Sequence, residues 1–451
     1  MTDTFRTQQA AIGALIDGPG AWKRRSLAPV LLGLLMLFDS WDGVMIAFVM
    51  PTLARQWQLN PIGMGLLMSS GYAGQLVGAL VLGALAERFG RRPVYGVTVA
   101  VMCGFSLACA GAQTPIQLGL LRLLQGIAIG GAVPVCASYI NEIAPTATRG
   151  RFFSVFQFLM ISGYAAAAVA SSLIVEQFGW RVMFLLGAVP LLALPFALGL
   201  LPESPRWLVR AGRFEDALAA VRRLGGSCEA VPVDAARGYS ASAPMPRFTL
   251  AGLLAPDVRR TVGILAALWF LTSLVNFGLT NWVPSIYVSQ FHVPVSTALW
   301  FSSIAILLVL FVPMLLGALM DRVGRRPLAI TGTLIGGVVL SSLLLVGSDV
   351  PLVVALVALG HTGIGVGTVI LWPYSAEAFP TRIRATALGL CSSLARGASM
   401  VTPILVGGLI AKTGSVEPVF ALFGALGLVV AAIWTFGTRE TKGVRIDEVT
   451  G

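Results

Sequence analysis

The chain has 451 residues, 56% hydrophobic and only 11% charged, with a formal charge of +11. Soluble domains carry about 25% charged residues, so the composition excludes an ordinary soluble enzyme or nucleic-acid-binding domain. The apolar runs are long and continuous, which excludes a β-barrel, whose strands would alternate over segments of roughly 10 residues; what remains is an all-helical protein that crosses the lipid bilayer many times.

Residues 1–26 are polar and end in Lys23, Arg24 and Arg25. No small-residue cleavage site follows a short apolar core, so the sequence predicts a retained amino-terminal tail rather than a removable signal peptide. The stretch Leu27–Met50, LAPVLLGLLMLFDSWDGVMIAFVM, then has the length a helix needs to cross a bilayer, roughly 20 residues, yet carries Asp39 and Asp42 near its middle. A charge at the bilayer centre costs at least about 2.5–3.5 kcal/mol. The i, i+3 spacing puts both carboxylates on neighbouring parts of one helix face. Two readings are open: a site that handles protons or substrate, or a buried polar pair that fixes helix packing.

Twelve spans follow from hydropathy, at about 27–50, 62–86, 94–112, 115–139, 152–175, 181–201, 260–288, 297–320, 327–346, 350–375, 385–411 and 417–437. They form two sets of six, 27–201 and 259–437, separated by a polar stretch, 202–258, and followed by a tail, 438–451. Within the central stretch, Arg213–Leu224 (RFEDALAAVRRL) has the pattern of a short amphipathic surface helix, and 225–246, rich in Gly, Ser, Ala and Pro, reads as a flexible linker. Lys and Arg set the orientation. One side receives both termini, the central loop, Arg88, Arg91, Arg92, Arg149, Arg151, Arg322, Arg325, Arg326, Arg382 and Arg384; the other receives Arg55, Arg181 and Lys412. Both termini are therefore expected in the cytoplasm. The five cysteines (Cys103, Cys109, Cys136, Cys228, Cys391) show no metal or disulfide spacing, and no cofactor is expected.

The two halves repeat one another. Gly83–Pro93 reads GALAERFGRRP and Gly317–Pro327 reads GALMDRVGRRP; Glu142–Gly150 reads EIAPTATRG and Glu377–Ala385 reads EAFPTRIRA. Matched loops at matched positions signal duplication. This doubled G-x-L-x-D/E-R-x-G-R-R loop resembles the signature of the major facilitator superfamily of secondary transporters. Arg122 with Gln125, Gly126 and Gly130 resembles that superfamily's fourth-helix signature, and Pro202–Leu208 (PESPRWL) the segment closing the first half of its sugar and organic-ion porters. Asp39-x-x-Asp42, Arg396 in the eleventh span and Tyr374–Thr386 together resemble the aromatic acid:proton symporters and the niacin permeases. Aromatic-acid porters show Asp-Gly-aromatic-Asp in the first helix, whereas this chain has Ser40-Trp41 inside the pair and Gly43 after it; Glu87 stands where the first doubled loop usually has Asp. The resemblance implies twelve helices in two pseudo-symmetric bundles and alternating access; the excess of arginine over lysine and the abundant alanine suit a bacterium with a GC-rich genome, so an inner-membrane location is expected.

Arginine cannot shed its charge by deprotonation, so each intramembrane Arg needs an anion, carbonyls or water. Arg396 lacks a carboxylate within its own half, and a guanidinium forks onto a carboxylate with two hydrogen bonds. It is the expected holder of a substrate carboxylate, the alternative being a structural partner of backbone or His361. Arg122 is expected to pair with Asp39 or Asp42 when either is ionised, as a proton-operated switch or as a plain structural ion pair. Trp41, Asn276, Asn281, Trp372 and Tyr374 are candidates for the substrate's ring, although aromatic residues near a helix end also serve as interface anchors; His361 is a candidate proton group or a hydrogen-bonded packing residue. Gly83, Glu87, Arg88, Arg91, Arg92, Glu142 and Arg149, with Gly317, Asp321, Arg322, Arg325, Arg326, Glu377 and Arg384, are expected to form a cytoplasmic gate of individually modest ion pairs.

The expected function is proton-coupled import of a small organic monocarboxylate, aromatic in type, by a monomer. A sugar or polyol porter is the alternative. A drug antiporter is disfavoured because the fifth span lacks a Gly-Pro signature, a non-transporting sensor because the outer loops are short and no signalling domain is present, and an enzyme because no nucleophile–base, metal or nucleotide-binding pattern occurs.

Overall fold

The computed structural model describes residues 3–17, 27–145, 148–225, 253–347, 349–380 and 383–442. The first half holds α2 (Leu27–Trp57), α3 (Pro61–Phe89), α4 (Arg91–Ala110), α5 (Pro115–Ile143), α6 (Arg149–Phe178) and a broken sixth span, α7 (Arg181–Gly187) and α8 (Pro190–Leu200). The second half holds α11 (Arg259–Ser289), α12 (Val295–Val323), α13 (Arg325–Ser342), α14 (Val350–Ala378), α15 (Arg384–Thr413) and α16 (Glu417–Gly437). Twelve helices among the described residues are long and apolar enough to cross a membrane, as the hydropathy predicts. Two short helices, α9 (Pro205–Arg210) and α10 (Phe214–Arg223), lie in the central loop, the second at the expected amphipathic stretch; the linker expected at 225–246 falls, but for its first residue, outside the described residues.

The helix starts are written locally. Asn60, Thr114, Ser204 and Asp349 each accept a hydrogen bond from a first-turn amide, with a proline at the first or second helical position, where its missing N–H costs nothing. One difference from the sequence reading lies at the amino terminus. Asp3–Asp17 is helical (α1), and its buried Ile12 and Ile16, one turn apart, pack on Leu208, Val209, Phe214 and Val221 of α9 and α10. That pair of apolar residues is too short a pattern to stand out in a polar segment.

Close approach within each half rests on small residues. In the first half α3 packs on α5 and α2 on α6; in the second, α13 packs on α14 and α11 on α15. A Cβ at Gly74 or Gly78 would overlap the main chain of α5, and one at Gly126 or Gly130 that of α3. The halves meet through α3 on α15, α6 on α12 and α2 on α11. At the first of these contacts a Cβ at Gly65 would overlap the Pro403 carbonyl and one at Gly407 the Pro61 carbonyl.

The apolar cores are distributed unevenly. At the end away from the termini one core takes residues from both halves, including Phe48, Met64 and Trp180 with Trp282, Leu299 and Phe420. At the terminus-bearing end each half has its own core, one built around Tyr95, Tyr139 and Phe156 of the first half, the other around Leu268, Phe379 and Trp434 of the second. The halves are fused at one end and packed separately at the other.

Candidate functional site

The central charges sit on four helices. Asp39 and Asp42 on α2 are buried, and each is coupled to a different arginine. Asp39 acts electrostatically on Arg396 of α15, across the junction of the halves; Asp42 acts on Arg122 of α5, within its own half. Within its own half Arg396 has no intramembrane carboxylate among the described residues; the carboxylate within its electrostatic range comes from the opposite half. Among the described residues neither arginine forms an ion pair closer than 4.0 Å.

Arg122 is fixed by other means. Its Nη1 donates to the main-chain carbonyl of Asp42 at 2.9 Å and to Gln125 Oε1 at 2.8 Å. The Ser106 hydroxyl lies 3.3 Å from Asp42 Oδ1 and donates to the Phe184 carbonyl at 2.8 Å. Asp42 is therefore enclosed by Ser106, Gln125 and Arg122, while Asp39 Oδ1 and Asp42 Oδ2 are buried without a hydrogen-bond partner among the described residues. Unpaired buried carboxylate oxygens are costly, and a bound proton or an arriving donor relieves them.

The ring candidates separate into two groups. Asn276 Oδ1 lies 3.0 Å and the Thr280 hydroxyl 3.4 Å from His361 Nε2, which ties α11 to α14. His361 is thus hydrogen-bonded between the two helices. Asn281 is buried; its Nδ2 donates to the Phe277 carbonyl at 2.7 Å and its Oδ1 accepts from the Tyr72 hydroxyl at 3.2 Å. Three expected ring contacts lie elsewhere. Trp41 is buried in the first half, with its indole N–H on the Met183 carbonyl at 3.2 Å. Trp372 is half exposed, edge-on to Trp269 at 4.7 Å between ring centroids. Tyr374 donates to the Arg439 carbonyl at 2.9 Å and packs on Trp434, at the terminus-bearing end. Sequence reasoning missed Tyr72 on α3, which bridges the halves, and Tyr164 on α6, coupled to both Asp39 and Arg396. The signal was present: a tyrosine beside serines and a glutamine in MSSGYAGQ of an otherwise apolar span.

The doubled loops make two copies of one latch. In the first, Arg91 joins Glu87 at 2.5 Å and Glu142 at 2.9 Å, and Arg210 bridges the same two carboxylates at 3.3 and 2.7 Å. Glu203 accepts from the amides of Arg91 and Arg92, Ser204 donates to Glu142, and Tyr139 donates to the Pro202 carbonyl. In the second, Arg325 joins Asp321 at 3.4 Å and Glu377 at 3.2 Å; Glu440 accepts from the amides of Arg325 and Arg326, Thr441 donates to Glu377, and Tyr374 occupies the place of Tyr139. Arg88 lies over the Phe89 ring, the Arg322 carbonyl accepts from Lys442, and Arg384 donates to the Phe379 carbonyl. Gly83 and Gly317 lie in α3 and α12, and Arg149 opens α6. The ion pairs of Arg91 and Arg210, and those of Arg325, each stay within their own half while the terminus-bearing end is split.

Two repeated six-helix bundles, a charged centre where they meet and a latch at one end of each define a secondary transporter of the major facilitator fold, not an enzyme, and a multi-pass inner-membrane protein. The chain belongs to the family described as Sugar (and other) transporter, whose sequence model matches residues 42–451. It is 28% identical over 423 residues to the niacin transporter NiaP of Acinetobacter baylyi, covering 93% of this chain and 95% of that protein. It is 30% identical to the gallate transporter of Pseudomonas putida, covering 88% of each. Its fold matches the inward open conformation of the xylose transporter XylE from E. coli with a TM-score of 0.73 at 20% identity, over 93% of this chain and 98% of that one.

Proposed function

We propose that this transporter imports a small aromatic monocarboxylate together with a proton, with Arg396 holding the substrate's carboxylate and Asp39 carrying the proton. The observation behind this reading is the Asp39–Arg396 relationship: a buried carboxylate and a guanidinium, one from each half, near enough for their charges to interact but not in ion-pair contact. While Asp39 is ionised it neutralises Arg396, and a substrate carboxylate competes with it. Once Asp39 takes a proton, Arg396 needs an anion, and a bidentate carboxylate serves best. Proton and anion therefore favour each other's binding, and linkage makes that coupling reciprocal.

The relatives named above carry niacin and gallate, each an aromatic ring bearing a carboxylate. That shared chemistry fits a site in which the Arg396 guanidinium has Tyr164 within electrostatic range. Lys and Arg crowd the terminus-bearing end, which assigns that end to the cytoplasm. The sealed end is then the outer one, and the conformation is inward-facing. Arg396 on α15, Asp42 on α2, Tyr164 on α6, Tyr95 on α4 and Cys136 on α5 lie within electrostatic range of Asp39.

The test is uptake of labelled benzoate or nicotinate into proteoliposomes with an acid exterior, with xylose, glucose and nicotinamide as comparisons. Accumulation of the acids alone, abolished by a protonophore, supports the reading. Accumulation of a sugar, or indifference to the proton gradient, overturns it in favour of a sugar porter or of an uncoupled carrier.

A further inference from the structure

Outside the central site, a cavity of about 480 Å³ opens at the terminus-bearing end, where α3 ends, α4 begins and α8 gives way to α9 and α10. Three guanidiniums reach it, those of Arg92, Arg213 and Arg223. Two carboxylates are also present, and each is engaged. Asp216 pairs with Arg213 at 2.7 Å, and Glu203 caps the first turn of α4. Arg92 and Arg223 form no ion pair among the described residues. Each is instead anchored to the last turn of α8: Arg92 Nε and Nη2 donate to the Leu198 carbonyl at 3.1 and 2.8 Å, and Arg223 Nη2 donates to the Gly199 carbonyl at 2.7 Å. A helix end offers about half a negative charge, against two full positive ones.

The surface that leads to the cavity is apolar. Leu192, Phe196 and Leu200 recur every four residues on α8 and are 84%, 65% and 45% exposed, and Phe89 at the cavity wall is 55% exposed. On a membrane span such a stripe lies against acyl chains. Trp207, another wall residue, is fixed by its indole N–H on the Glu87 carbonyl at 2.8 Å, and tryptophan is enriched at the depth of lipid headgroups. The cavity thus joins two oriented cations to a lipid-facing apolar track at the edge of the bilayer, and basic pockets at such an edge take anionic headgroups.

We infer that this cavity seats the phosphodiester of an anionic glycerophospholipid, with Arg92 and Arg223 on the phosphate and an acyl chain along Leu192, Phe196 and Leu200. The bound lipid ties α10 to α4 and α8, and so stiffens the latch of the first half. The second half has no counterpart among the described residues: Arg326 grips the end of α16 as Arg92 grips α8, but no helix equivalent to α10 follows.

The experiment uses the full chain, delipidated in detergent, and reads the melting midpoint with dioleoyl phosphatidylglycerol, dioleoyl phosphatidylcholine, glycerol 3-phosphate or inorganic phosphate. Phosphatidylglycerol is expected to raise the midpoint more than phosphatidylcholine at equal mole fraction, and the two soluble phosphates to leave it unchanged. Arg223→Gln is expected to cut the difference between the two lipids at least about threefold, while Arg222→Gln, on an exposed neighbour, retains it. Native mass spectrometry of the wild type provides a readout independent of the variants, with phosphatidylglycerol retained at higher activation than phosphatidylcholine. Equal stabilisation by both lipids, equal responses of the two variants, or an effect reproduced by soluble phosphate would overturn the inference.

Discussion

The Tyr72 hydroxyl donates to Asn281 Oδ1 at 3.2 Å, joining α3 of the first half to α11 of the second. The same hydroxyl lies 3.4 Å from the Gly43 carbonyl, and its ring stands edge-on to Phe277 at 5.5 Å between centroids. The bond sits where the fused core gives way to the charged centre, so it belongs to the state in which the far end is shut. It must break when that end opens, because its partners belong to different halves. Removing it therefore acts on the balance between the two states as well as on stability.

Tyr72→Phe keeps the ring contact and deletes the bond. A hydrogen bond of this kind contributes about 1 kcal/mol, which is roughly a fivefold change in a two-state ratio. The expected outcome is a shift toward the state open at the far end. Labels placed on α3 and α15 near Gly65 and Gly407 would report it as an increased population of long distances. An unchanged distance distribution would show that the bond carries no conformational weight.

Arg396 is argued to hold the substrate through two charge-assisted hydrogen bonds, each contributing about 1.5–3 kcal/mol. Arg396→Ala is expected to weaken benzoate or nicotinate binding by about a hundredfold or more. Arg396→Lys keeps the charge without the planar fork, and should fall between the two. Ligand-induced thermal stabilisation of each variant measures this. Full stabilisation of Arg396→Ala by the acids would return Arg396 to a structural role.

Asp39 and Asp42 are equivalent in sequence but not in surroundings. Asp42 is enclosed by Ser106, Gln125 and Arg122 of its own half, whereas Asp39 looks across to Arg396. Asp39→Asn is expected to abolish accumulation driven by an acid exterior while keeping exchange of labelled for unlabelled substrate, which needs no net proton movement. Asp42→Asn should lower both activities together, through the mounting of Arg122. Reversal of that pattern in proteoliposomes would assign the coupling proton to Asp42.

The spans were legible because a bilayer demands continuous apolar length, and the central charges because lipid makes each of them conspicuous. The pairing of those charges was not legible. Asp39 and Asp42 are three residues apart yet address arginines on different halves, a distinction that depends on how the bundles lean together. The repeat extends beyond Gly83–Pro93 and Glu142–Gly150. It includes Tyr139 and Tyr374, three residues before Glu142 and Glu377, and each donates to a carbonyl just past a half's last span, which places Tyr374 in the latch. Glu87, one methylene longer than Asp321, holds both Arg91 and Arg210, whereas among the described residues Asp321 pairs with Arg325 alone, at 3.4 Å, and is otherwise in solvent.

Glu203 and Glu440 cap α4 and α13 in the same way and titrate in opposite directions. Burial pushes the Glu203 carboxyl above the ordinary value of 4.5, against the amides of Ser204, Arg92 and Arg91. Burial also raises Glu440, but more weakly than the amides of Lys442, Arg325, Arg326 and Thr441 lower it, and it lies below 4.5. A depressed native value means that the Glu440 contribution is complete above pH 4.5 and is lost as the pH falls through that native value. A raised one means that the Glu203 contribution is complete below pH 4.5 and is lost as the pH rises through its native value. Melting midpoints of the wild type, Glu203→Gln and Glu440→Gln between about pH 4 and pH 7 test this. The margin of the wild type over Glu440→Gln should shrink toward the acid end, while its margin over Glu203→Gln grows. Two margins that move together with pH would mean that the latches share one electrostatic environment, and that the deeper burial of Glu203 has no consequence for its charge.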